Sequence, residues 1–116
     1  MEIKTEEMVT SIAQAIYDRK GFNIIALDVR KISSITDYFI IAEGNIDRHV
    51  IALAHEVKSR LSDLGEKAFR IEGEDSGDWL VIDYLNVIVH IFTPEMREKY
   101  QLEKLWQDGK IVDLKI

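Results

Sequence analysis

Four carboxylates and an indole crowd into nine residues, EGEDSGDWL at positions 72–80. Glu72, Glu74, Asp75 and Asp78 are oxygen donors that could hold a cation, exchange protons, or rim a surface for a basic partner. Their spacing misses the alternating acids, central glycine and terminal glutamate of a calcium loop. His49 and His55 are six residues apart on a helical segment and point to different faces, so they cannot share a zinc ion. His90 stands mid-strand in VIVHIF on the face of Ile88 and Phe92, where a histidine is more often hydrogen-bonded and semi-buried than a general base. Ser11, Ser33, Ser34, Ser59, Ser62 and Ser76 include none in a nucleophile-elbow or SxxK setting. Neither a zinc site nor a serine nucleophile emerges.

Two further patterns could recognise phosphate. Gly44-Asn45 joins a strand to a helix whose N-terminal amides could meet an anion, but every such turn needs a residue of this kind. Arg48, Lys58 and Arg60 lie along one helix, and Arg97, Lys99 and Lys104 along another. Both sets are interleaved with acids, read as solvated faces, and lack the aromatic platform that single strands stack on. A net charge of -6 and a pI near 5.0 give no general attraction to nucleic acid, and favour basic partners.

The chain that positions these groups is one domain of 116 residues, 47% hydrophobic with a single proline, which argues against disorder. It has no cysteine, which suits a reducing compartment. The start, MEIKTEEMVT, carries acids where a secretory signal has a basic region, and no 18-residue apolar run exists. A cytoplasmic protein with no membrane partner is expected.

Met8, Val9, Ile12, Ala13, Ile16 and Tyr17 form a helical stripe over residues 5–20, with Thr5 as N-cap and Gly21 as stop. NIIALDV (23–29) and DYFIIAE (37–43) read as buried strands. Val50, Ala54, Val57, Leu61 and Leu64 give one stripe on a long helix over 45–64, ended by Gly65. KAFRIE alternates, with Phe69 and Ile71 on one face. DWLVIDY and NVIVHIF form a hairpin around Leu85-Asn86, where Asn86 tolerates a left-handed turn. Thr93-Pro94-Glu95 starts a helix that breaks near Tyr100 and ends by Gly109. The tail IVDLKI is a short edge strand or nothing. The order α-β-β-α-β-β-β-α, with a right-handed parallel crossover through the long helix, predicts an α/β (α+β) fold: one mixed five-stranded sheet flanked by helices.

DYFIIAEGNIDRHV, EGEDSGDWLVIDY, NVIVHIF and RxxYxLExLW (Arg97, Tyr100, Leu102, Glu103, Leu105, Trp106), in this order and spacing, resemble the ribosomal silencing factor (RsfS or Iojap) family over about residues 5–106, with 107–116 a variable tail. The resemblance implies a fold related to the nucleotidyltransferases but without their catalysis, and no cofactor. It implies binding to the large ribosomal subunit at its universal protein fourteen, which blocks joining of the small subunit and represses translation under nutrient limitation or in stationary phase. Little direct nucleic-acid binding and homodimers off the ribosome are implied as well. Two departures stand out. Glu43-Gly44-Asn45-Ile46 replaces a usual SGxS and bears on the start of the long helix, and Leu85-Asn86 replaces a common Gly-Asp and bears on the turn type.

The residues speak to catalysis independently. Nucleotidyltransfer needs paired acids on one strand face to hold two metal ions. Asp83 has no second acid two residues away, so the competing enzyme reading must use Asp78, Asp83 and the helix amides near Gly44.

The acidic stretch then has two readings. Trp79 is an aromatic anchor with acids around it that steer a basic partner, or it begins a core strand, alternating with Val81 and Asp83. Asp83 makes that face partly wet, and the residues alone leave both readings open. The resemblance favours docking. It implies a partner-binding set of Trp79, Leu80, Asp78, Glu72, Glu74, Asp75, Asp37, Arg97 and Tyr100.

Overall fold

The computed structural model describes residues 4–105 and 107–114. Trp106 of the C-terminal motif and residues 115–116 of the expected tail strand lie outside them. Helix α1 (Thr5–Asp18) buries Met8, Val9, Ile12, Ala13, Ala15 and Ile16, as its period requires. Thr5 is its first helical residue rather than its cap. Lys4 is the N-cap, with no side-chain cap bond, and the Thr5 hydroxyl instead accepts from Asn86 Nδ2 at 3.0 Å. Gly21 serves close approach, since a Cβ there would stand 2.3 Å from Ile16 Cγ2.

Strands β1 (Phe22–Asp28) and β2 (Tyr38–Glu43) pair antiparallel, and α2 (Asp47–Asp63) follows. Helix α2 ends as its sequence predicts. Gly65 is left-handed at φ +86, while its N–H bonds Ser62 O and the Glu66 N–H bonds Leu61 O, a Schellman closure. Then come β3 (Arg70–Glu72), β4 (Trp79–Asp83), β5 (Val87–Phe92), α3 (Pro94–Tyr100), α4 (Leu102–Leu105) and β6 (Lys110–Ile111). The break between α3 and α4 falls at Gln101, which is left-handed at φ 46.

The sheet has six strands, not five, in the order β3-β4-β5-β2-β1-β6. The extra strand is the tail, whose Lys110 and Ile111 pair with Asp28 and Leu27. A parallel pair exists, but it joins β2 to β5. The crossover through α2 instead delivers β3 to the far edge, antiparallel to β4. The apolar β5 takes the centre, where both faces are covered, and the short polar β3 takes the rim. Phe69 does not share a core face with Ile71. It precedes β3, is 62% exposed and lies beneath the Arg70 guanidinium, while Ala68 and Ile71 pack on the core.

Alternation along the strands makes two cores. Tyr38, Ile40, Ala42, Leu80, Ile82, Val87, Val89 and Ile91 face α1 and α2. Phe39, Ile41, Ile88, Phe92 and Leu27 face the other way and, among the described residues, meet the short α3–α4 segment through Met96 and Leu102. The residues of this second face are buried too, Phe92 and Ile41 almost completely. Among the described residues, no helix is long and apolar enough to cross a membrane.

Candidate functional site

The second face is aromatic. Trp79, the first residue of β4, is half-buried. Its ring lies 5.1 Å from that of Phe92 and 4.7 Å from that of Tyr100. The indole Nε1–H donates to His90 Nδ1 at 3.1 Å. The imidazole in turn lies 5.7 Å from the Phe39 ring and 6.0 Å from that of Phe92. Burial among these rings lowers the His90 pKa from 6.5 to about 4, with no charged neighbour contributing, because a cation there loses its hydration. His90 is thus the hydrogen-bonded, semi-buried residue its strand position suggests. Trp79 packs on the second core and keeps part of its surface in solvent beside an exposed Tyr100.

The acids divide. Register places Glu72 opposite Val81 and Arg70 opposite Asp83, so Glu72 and half-buried Asp83 rim the second face. Glu72 is 3.4 Å from Arg70. Glu74 turns the other way and pairs with Lys58 of α2 at 3.3 Å. Asp75 is exposed on the loop, and Asp78 accepts from Ser76 Oγ at 2.7 Å. Gly73, at φ +90, lets the loop fold onto β4, for a Cβ there would meet Trp79 O at 2.0 Å. Among the described residues no three His, Asp or Glu side chains converge as metal ligands do.

Three members of the expected binding set stand elsewhere, each for a physical reason. Leu80 points into the main core and is fully buried, because successive strand residues face opposite ways. Asp37 sits beside the hairpin end of the sheet, where its N–H bonds Asn86 O. Trp79 registers with Phe92 and the neighbouring Tyr38 with Val87, which separates Asp37 from the indole by about 20 Å along the strands. Arg97, expected on a solvated face, is buried. Its Nη1 lies 3.1 Å from Glu43 Oε2 and also donates to the Asn23 carbonyl. Asn23 is left-handed at φ 50 within a β1 bulge, and its side chain donates to the same Glu43 oxygen at 2.8 Å. The triad pins α3 to the sheet and so holds Tyr100 against Trp79. Glu43 and Asn23 were missed in the sequence, although an acid closing a fully buried strand is a visible signal.

The competing catalytic set does not assemble. Asp78 and Asp83 flank β4 about 17 Å apart, whereas paired catalytic metals lie about 4 Å apart. Asp83 Oδ1 is engaged by the Leu85 N–H at 2.7 Å. At the start of α2 the Asn45 N–H is taken by His49 Nδ1 at 2.9 Å and the Arg48 N–H by Asp47 Oδ1 at 2.8 Å. The cleft there is lined by Asp47, Asp78 and Glu95, which repel phosphate.

Residues 2–116 match the family described as "Ribosomal silencing factor during starvation". The chain is similar to the ribosomal silencing factor RsfS of Halalkalibacterium halodurans, at 37% identity over 112 residues, covering 97% of this chain and 96% of that protein. Its similarity to RsfS of Bacillus subtilis is 40% over 102 residues, covering 88% of this chain and 86% of that one. A crystal structure of a protein from Chromobacterium violaceum superposes with a TM-score of 0.88 at 33% identity, covering 98% of this chain and 94% of that one.

Proposed function

This chain belongs to the ribosomal silencing factor family, and we propose that it represses translation by docking on the large ribosomal subunit and blocking attachment of the small one. The contact is made through the rim of the second sheet face, around Trp79, to the universal protein fourteen, under nutrient limitation or in stationary phase, in the cytoplasm. No catalysis, cofactor or membrane is involved, and direct contact with nucleic acid is minor. Off the ribosome the chain forms homodimers.

One observation carries this reading: a half-exposed indole braced by Phe92, Tyr100 and His90 on the sheet face opposite α1 and α2. Large rigid aromatics that desolvate at small entropic cost are what interface hot spots are built from. The rim of Glu72 and Asp83 supports a basic partner, as does the chain's charge of -6. Repression by occupancy needs no reacting group, which agrees with the scattered acids.

The test is sedimentation. Purified protein is mixed with separated subunits and run on gradients, and 70S formation is followed by light scattering as protein is added. Co-migration with the large subunit and a dose-dependent block of joining are expected. Migration at the top of the gradient with normal joining overturns the reading. Metal-dependent nucleotide turnover that vanishes in Asp83→Asn would restore the enzyme.

A further inference from the structure

We propose that His90 is a specificity-determining residue of the docking face, whose outer ring nitrogen donates a hydrogen bond to a neutral carbonyl oxygen of the docked protein. The inference rests on the docking reading above and deepens it.

The tautomer is forced by the partner. An indole Nε1 can only donate, and it lies 3.1 Å from His90 Nδ1. Nδ1 must therefore be the acceptor, and in a neutral imidazole the proton then sits on Nε2. Burial keeps the ring neutral, since its pKa lies near 4. Nε2 is the nitrogen farther from Cβ, so on a side chain standing off the sheet it lies outward of Nδ1.

That outward donor has no protein partner among the described residues. His90 is the one residue of β5 that is half-buried rather than buried, and Nε2 is the ring nitrogen on its outer side. Among the described residues its surroundings are Phe39, Trp79, Val81 and Phe92, none of which offers a side-chain acceptor. A partner covering this patch strips water from one N–H in an apolar field. Docking is then penalised unless the partner supplies an acceptor there. The acids at the rim disfavour a carboxylate, so the acceptor is a neutral oxygen, of which backbone and amide carbonyls are the strongest and most abundant. Trp79 supplies area, and His90 supplies the single directional contact that distinguishes partners.

Three substitutions separate the two jobs of the ring. His90→Asn keeps an acceptor near the indole but no distal donor. His90→Gln keeps a distal donor but loses the proximal acceptor, and His90→Phe keeps only the ring. Each is made in the full chain, 15N-labelled, with thermal melts and dispersed amide spectra to establish folding. The Trp79 indole N–H resonance is assigned by its survival in Trp106→Phe. It should stay near its wild-type position in His90→Asn and move in His90→Gln and His90→Phe. Affinity for purified large subunits should fall about tenfold or more in His90→Asn and His90→Phe, the cost of one buried group left unpaired, and only a few-fold in His90→Gln.

Folded His90→Asn and His90→Phe proteins that bind as wild type overturn the inference. An indole resonance unmoved in His90→Phe overturns the tautomer assignment and with it the donor. Trp79→Ala, run alongside, distinguishes the levels. If it loses binding while His90→Asn does not, the face docks and only His90 is misassigned. If wild type fails to bind, or Trp79→Ala binds fully, the docking reading fails and the inference falls with it.

Discussion

Arg97 Nη1 and Glu43 Oε2 lie 3.1 Å apart with their side chains only 10% and 9% exposed, joining a helix residue to one 54 positions earlier. Breaking such a pair leaves an uncompensated charge in a poorly hydrated place, which typically costs about 3–5 kcal/mol. Arg97→Met should therefore lower unfolding free energy by an amount of that order in urea. Adding Glu43→Leu should recover much of the loss, because both charges then go. Should the single substitution melt like wild type, the pair is not what fixes α3.

Trp79→Ala separates anchor from core. The indole is half-buried, so truncation should cost less than the roughly 3–5 kcal/mol of a fully buried aromatic, about 1–2 kcal/mol in thermal melts. Large-subunit affinity should fall by about 2 kcal/mol or more, roughly thirtyfold. A variant that loses several kcal/mol of stability yet binds normally assigns Trp79 to the core alone.

What the sequence made legible is what local period and turn chemistry determine. The α2 stripe of Val50, Ala54, Val57 and Leu61 is buried as spaced, Leu64 falling just past the last turn, and Gly65 closes the helix. Arg97 was misplaced because its stabilising partner is remote in the chain, and helical spacing carries no information about that. Strand order was hidden for the same reason: nothing in KAFRIE tells that the β4–β5 hairpin slots between it and β2. The two-residue β6 is too short for alternation to register. The Trp79–His90 bond was nearer to hand, since a hairpin centred on Leu85-Asn86 places residues 79 and 90 on one face of adjacent strands. Asp37 and Leu80 entered the expected site through motifs alone, and motifs do not say which way a strand residue points.

His90 also sets a pH dependence. Above pH 6.5, its ordinary pKa, the ring is neutral folded or unfolded and contributes no slope. As pH falls from 6.5 towards about 4, the unfolded chain takes up a proton that the folded one refuses. Stability should then drop through that window and level off, for this group, below about 4. The groups around the ring are the Trp79 donor and the Phe39 and Phe92 rings, none of them charged. Asp28, held low by Arg30, and Glu56, held low by Arg19 and Arg60, lose their contributions only as pH falls through and below 3.8 and 4.5. Urea melts of wild type and His90→Phe at pH 7.5 and pH 5 should converge on different slopes, the variant's being flatter. Equal slopes refute the burial of a neutral His90.

The last prediction concerns the hairpin turn, where the residue adopting the left-handed conformation is Leu85 at φ 74 rather than Asn86. The Asn86 N–H reaches back to Tyr84 O at 3.0 Å and the Tyr84 N–H to Val87 O at 2.9 Å, a γ-turn centred on the leucine. A side chain in that region costs about 1–2 kcal/mol through the clash of its Cβ with the following carbonyl. Leu85 is 58% exposed, so its packing repays little. Asn86 is retained for other work: its carbonyl accepts from the Asp37 and Tyr38 amides, and its side chain reaches Thr5. Leu85→Gly relieves the clash, while the added freedom of the unfolded chain takes back about 0.5–1 kcal/mol. The net expectation is a gain of roughly 0.5–1 kcal/mol in chemical denaturation, with large-subunit binding unchanged because the turn lies at the opposite end of β4 from Trp79. A destabilised Leu85→Gly protein would show that the exposed leucine makes contacts outweighing its strain.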